Sequence, residues 1–306
     1  MPNTGHIHHQ NPDFFALWRP DIFLLMVLVG IVYFYFMGPG RKLFAESEPV
    51  SGGTKALMIT ALGVFYIAQG TPINFYGHSF LFSSHMLQMS LIYLVFPPLF
   101  YLGLPHWFVK SIIEIKWIKP WLYRVTHPLI SVIIFNALFS FYHIPTIFNY
   151  MMEYHGLHLI YHWVLMVTAF QMWFPIFVKD PKWARVNGLQ KMVYMFANGV
   201  LLTPACALLI FTQVLVYDVY VGAPQTLSFL PPIDDQQMGG VVMKIMQEIV
   251  YGIVLAYSFF EWYRSERKKE EQLDLDMMEA LRPMQKSEAS ESRDSAVLKP
   301  NQVPSS

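Results

Sequence analysis

Seven apolar runs decide what this chain can fold into. A bilayer core asks for roughly 20 apolar residues per helix. Residues 22–37, 56–75, 79–102, 128–150, 157–178, 189–217 and 241–260 meet that length approximately, and the first run is extended by Phe14–Trp18. The stretches between them are too short for a soluble domain. Only 14% of residues are charged, against about 25% in soluble domains. The expected fold is all-α, a polytopic integral membrane helix bundle of about seven transmembrane helices, with the lipid bilayer as solvent.

Basic residues sort the loops. Arg41, Lys42 and Lys55 lie between the first and second runs, and Lys110, Lys116, Lys119 and Arg124 between the third and fourth. Lys179, Lys182, Arg185 and Lys191 lie between or beside the fifth and sixth, and the remainder crowd the end of the chain. Of the 21 lysines and arginines, all but Arg19 and Lys244 fall on one side. Short basic loops stay in the cytoplasm. The expected topology therefore puts the amino terminus outside and the carboxyl terminus inside. Three parts follow: a His-rich outer arm at 1–20, a membrane domain at 21–262, and a charged cytoplasmic tail at 263–306 that is expected to be disordered from 287. No cleavable signal peptide is expected, because the polar start lacks a basic n-region before an apolar stretch.

That topology gathers the histidines. All but His106 and His127 of the 11 lie toward the outside. His155, His158 and His162 fall at i, i+3 and i+7 on one helix face. His85 and Met89 are one turn apart, and Asn136, Ser140 and His143 share a face of the fourth run. Polar groups in a bilayer face a protein interior or a cavity, so these faces are expected to converge on a polar site open to the outside. Imidazole with thioether suits copper, which makes His85, Met89, His143, His158 and His162 the candidate ligands. Haem b held by two histidines is the alternative cofactor. His6, His8 and His9 form a second, weaker capture motif.

Other features read differently. Lys244 and Glu248, one turn apart, are expected to form an ion pair lining the bundle. Asp234, Asp235, Gln236 and Gln237 form an outer-loop motif; a solvated loop is the default reading of its two aspartates, and contact with a partner or a cation the alternative. Cys206, the one cysteine, excludes an internal disulfide and a CxxC site. Net charge is zero, so no nucleic acid partner is expected. No nucleotide loop, HExxH or GxSxG occurs, which argues against a hydrolase or intramembrane protease; the expected role is a non-enzymatic one.

A family resemblance rests on particular segments. Ser84-His85-Met86-Leu87-Gln88-Met89, running on to Phe96-Pro97-Pro98-Leu99, resembles the third-helix signature of the CtaG family of caa3-type cytochrome c oxidase assembly factors. Phe135-Asn136-Ala137-Leu138 with His143-Ile144-Pro145 resembles the fourth helix, and His158 through Trp173 the fifth. Asp235-Gln236-Gln237-Met238-Gly239-Gly240 is similar to the segment entering the last. Many relatives carry a second histidine where Met89 stands, and glycine or tryptophan often replaces the Lys244–Glu248 pair. The resemblance implies a bacterial plasma-membrane protein needed to form active caa3-type oxidase, with oxidase subunits as partners and copper handling as the suspected mechanism. A haem protein and a metal-free scaffold remain the alternatives.

Overall fold

A computed structural model describes residues 13–44, 46–178, 180–221 and 230–297; the motif His6, His8, His9 lies outside them. Among the described residues the secondary structure is helical and contains no strand. Helices α1 (Phe14–Trp18) and α2 (Pro20–Met37) form the first span, and α3 (Gly52–Gly70) with α4 (Pro72–Ser79) the second. The third joins α5 (Phe82–Ser90), a π turn (Leu91–Val95) and α6 (Phe96–Leu102). Short helices α7 (His106–Ile113) and α8 (Lys119–Val125) lead to α9 (Pro128–Tyr142) and α10 (Pro145–Glu153). Long helices α11 (His155–Phe177), α12 (Gly188–Phe211) and α13 (Pro232–Val297) complete the chain. Among the described residues five helices are long and apolar enough to cross a membrane, or up to 7 if each bent pair counts as one span.

The bends sit where proline chemistry puts them. Proline lacks an N–H and disfavours α conformation in the residue before it. Pro72 starts α4 after Thr71, whose hydroxyl accepts from the Ile73 N–H, and the two helices meet at 41°. Pro128 starts α9 at 69° to α8. Pro145 ends the fourth run early: Ile144 is extended, and 145–153 forms the separate helix α10 rather than a continuation. The sixth run also stops short. Helix α12 ends at Phe211, and the chain from 212 to 217 is irregular apart from the caps it makes with α13.

The third span is the centre of the bundle: 61% of its most apolar window is buried, against 11% for the first span. Span one packs mainly on α3, while α13 packs along α12 and against α5, and α9 packs on α11 and α12. Pro97 and Pro98 cannot donate hydrogen bonds to the carbonyls one turn back. The indole N–H of Trp173 replaces one of them, donating to the Tyr93 carbonyl at 3.0 Å. The local answer is the π turn, with the Phe96 N–H donating to the Leu91 carbonyl. Such turns are rare and turn side chains into new directions; here Tyr93 is aimed at α11.

The Asp-Asp-Gln-Gln motif is part of this framework. Asp235 is buried and caps α5 from a distance: its Oδ2 accepts from the Phe82 N–H at 2.7 Å, and its other oxygen accepts from the Ser83 hydroxyl. Gln236 accepts from the Val216 N–H at 3.0 Å and donates to the Val214 carbonyl at 3.1 Å. Gln237 donates to the Thr212 carbonyl at 2.7 Å. Asp234 is exposed. Three of these four side chains therefore hold backbone in place. At the basic end, hydrogen bonds from Lys119 and then Trp183 hold the Glu114 carboxyl below its usual range.

Two expectations change. Helix α13 continues through the charged segment after residue 263 and on to Val297, so residues 287–297, which composition marks as disordered, are helical. Glu, Lys, Arg, Leu and Met favour helix, and Arg267–Glu271 and Lys269–Glu266 pairs add support along it. The Lys244–Glu248 pair forms at 2.7 Å but does not line the interior: Glu248 is 65% exposed on the outer surface of the bundle.

Asp235→Asn should lower stability by about 2 kcal/mol, combining a lost cap with a weakened charged hydrogen bond. Thermal melting in detergent measures it, and the exposed neighbour variant Asp234→Asn should leave the melting temperature within about a degree.

Candidate metal site at the histidine-rich end

His85 is fully buried, one turn into α5, and its position depends on how closely α4 approaches. A Cβ at Gly77 would lie 2.9 Å from the His85 nitrogen and 3.0 Å from its Cα, so only glycine fits there without displacing α5. The Gly77 carbonyl accepts from the Tyr220 hydroxyl at 2.6 Å, which fastens this contact. His158 and His162 come from α11, with ring centroids 4.2 Å apart.

These three imidazoles meet at one atom. The Tyr142 hydroxyl, at the end of α9, lies 3.2 Å from Nε2 of His85, 3.2 Å from Nε2 of His158 and 3.2 Å from Nε2 of His162. A phenol has one proton and two lone pairs. It can donate to one imidazole only, so the other two must donate to it. One of the three nitrogens is therefore unprotonated and accepts from the phenol through its lone pair. The Nδ1 of His85 has no hydrogen-bond partner among the described residues, which gives that ring room to carry its proton on either nitrogen. Tyr93, aimed by the π turn, holds Nδ1 of His162 at 2.7 Å.

His78 is a fourth member that charge sorting and helix spacing do not select. It follows the bend into α4, and its ring is 5.2 Å from that of His158 and 6.0 Å from that of His85. Its Nδ1 is 2.9 Å from the Asn74 carbonyl. A carbonyl only accepts, so Nδ1 carries the proton and Nε2 is a lone pair. Ligand histidines are oriented by this same bond to a backbone carbonyl.

The other expected ligands are placed less directly. His143 is buried and bonds the Phe139 carbonyl through Nδ1 at 2.7 Å, leaving its Nε2 without a partner among the described residues. Its ring reaches the cluster through Tyr142, at a centroid distance of 5.4 Å. Met89 is fully buried one turn deeper on α5.

A cavity of about 520 Å³ opens beside the cluster, lined by Arg19, Gln69, Asn74, His78, Gln88, His155, His158 and His162 among others. Its floor is an amide network: Gln88 donates to the Asn74 side chain at 3.0 Å and approaches the Gln69 side chain at 3.3 Å. Arg19 stands at its edge with φ 28, an unfavourable value for a residue with a side chain, fixed by a two-point ion pair to Asp21. No group of three His, Cys, Asp or Glu side chains among the described residues is closed around a metal position as it stands. The phenol oxygen of Tyr142 occupies the point on which the imidazoles converge.

A profile described as cytochrome c oxidase caa3 assembly factor (Caa3_CtaG) matches residues 31–265. No curated protein and no solved structure matches the chain. The matched segment takes in every span except most of the first, together with the histidine cluster and the Asp-Gln-Gln caps. The chain therefore belongs to the Caa3_CtaG family of cytochrome c oxidase assembly factors.

Proposed function

We propose that this chain serves formation of caa3-type oxidase in the bacterial plasma membrane by holding copper, as cargo, at its histidine-rich end, and that this end faces the outside. The observation that carries the reading is the convergence of three Nε2 atoms on the Tyr142 hydroxyl at 3.2 Å each. Neutral imidazoles are good copper ligands, and burial among apolar residues favours the softer reduced ion.

In this reading His155 and His78, at the cavity, meet the ion first. His85, His158 and His162 then hold it, with Tyr142 giving up its place at the vertex. Two of those three nitrogens carry protons while they donate to Tyr142. Each such proton must move to Nδ1 or leave before the nitrogen can bind, so loading releases or shifts protons. The unpartnered Nδ1 of His85 supplies one such place. No covalent step is required, and the role is that of a carrier rather than an enzyme. The arrangement supports haem less well. Two histidines such as His85 and His158, with rings 6.5 Å apart, would hold it, but three Nε2 atoms converging on one point suit a single ion better.

Metal analysis of purified protein should give close to one copper per chain. In a His85→Ala/His158→Ala variant, copper affinity should fall at least tenfold and oxidase activity in membranes should fall with it. Copper unchanged by the double substitution would defeat the carrier reading, and a Soret band lost in the same variant would replace it with haem. Tyr142→Phe should separate placeholder from ligand. It should cost about 1–3 kcal/mol of stability, because buried nitrogens lose a partner, while copper affinity stays within about threefold. A loss as large as that of the histidine variant would make the phenol a ligand. For orientation, a reporter active only in the cytoplasm and fused after Ser287 should give signal; silence there would reverse the topology.

A further inference from the structure

The most exposed charge within the membrane-spanning part of the last helix has no role in the cavity. Glu248 lies roughly 24 Å along α13 from Arg264, where the basic cytoplasmic-type sequence starts, at about 1.5 Å per residue. It lies about 20 Å from Asp235 in the other direction. That depth is inside the hydrocarbon. Its neighbours on the same surface are Ile245, Ile249 and Ile253, each more than half exposed, as lipid-facing residues are. Yet the Glu248 side chain is 65% exposed and that of Lys244 30%.

Charged groups at this depth normally turn toward a protein interior. Lys244 partly satisfies itself, with Glu248 at 2.7 Å and the Thr203 hydroxyl at 3.1 Å. The carboxylate has more acceptor capacity than one ammonium uses. One turn further on, Gly252 is exposed, and a Cβ there would meet nothing within 4 Å. The surface is therefore polar at one level and shallow at the next. Close approach of a helix backbone to small residues, with a hydrogen bond between polar side chains, is how helices associate in a bilayer.

We propose that the α12–α13 surface around Lys244, Glu248, Thr203 and Gly252 docks a transmembrane helix of an oxidase subunit. The partner helix carries a hydrogen-bond donor (an amide, a hydroxyl or a basic group) at the depth of Glu248. Depth selects a membrane-embedded occupant over a soluble one. Membership of an oxidase assembly-factor family selects an oxidase subunit over a second copy. The oxidase as target rests on membership of the family, not on the copper reading. No residue named at the cavity lies on α12 or α13, so the two sites are separable.

The test places a photo-crosslinking amino acid at Ile249 of the full chain in native membranes, with adducts identified by antibodies to each oxidase subunit. An adduct with one subunit is expected. It should fall at least fivefold in a Lys244→Leu/Glu248→Leu background and persist in a His85→Ala/His158→Ala background. The leucine variant should melt no lower than wild type, because it removes exposed charge. An adduct with a second copy, adducts with lipid alone, or an oxidase adduct insensitive to the leucine pair would overturn the proposal. So would a lowered melting temperature of the leucine variant, which would make the pair a structural clasp.

Discussion

Hydrocarbon cannot hydrogen-bond, and most of this architecture follows from that. The backbone polar groups that the chain carries into the bilayer must find partners within the protein. The double proline of the third span withdraws two backbone donors, and the Trp173 indole supplies one from α11. Helix α5 begins with open N–H groups, and Asp235 reaches across from α13 to fill them. Asn136 donates to the Asn198 side chain at 2.9 Å, tying α9 to α12. Apolar packing against lipid-like neighbours has little preference for register. These few polar contacts do, so they fix how far each helix slides and which way it turns.

Register is what assembles the histidine cluster. Asp235 sets the level of α5 and hence of His85. Trp173 and the π turn set the rotation of Tyr93, which in turn holds His162. Tyr161 donates to the Leu138 carbonyl at 2.8 Å, which fixes α11 against α9 and brings Tyr142 level with His158 and His162. A shift of one turn in any of these would move a ring by about 5 Å and scatter the three nitrogens. Of the outer-loop motif read from sequence, Asp235, Gln236 and Gln237 bond backbone in α5 and in the segment 212–216.

Much of this is legible in the chain itself. The apolar runs, the sorting of basic residues and the shared face of His155, His158 and His162 depend on composition and helical period, which a sequence displays directly. Bends are harder. Nothing in the run 128–150 except Pro145 announces that the helix stops at Tyr142, and the run 56–75 hides the corner at Thr71. His78 was missed as a cluster member for that reason: its place depends on α4 turning back toward α5 across Gly77, a contact between segments. Tyr142 was missed because an apolar helix offers many aromatic residues, and only the meeting of three helices singles one out. Period also shows that Lys244 and Glu248 share a face, but not whether that face looks inward.

The last distinction divides the polar groups of this bundle into two kinds. Inside, histidines, asparagines and glutamines make hydrogen bonds between helices, and part of that network lines the cavity. Outside, one ion pair stands among isoleucines with acceptor capacity unused. Neutral networks suit a site that must hold and release an ion without a large change in buried charge. An exposed charge suits recognition, because its cost in lipid disappears only when the right neighbour covers it. On the proposed reading the chain both holds an ion and meets one partner, and the two features lie on different helices: none of the cavity's lining residues is on α12 or α13.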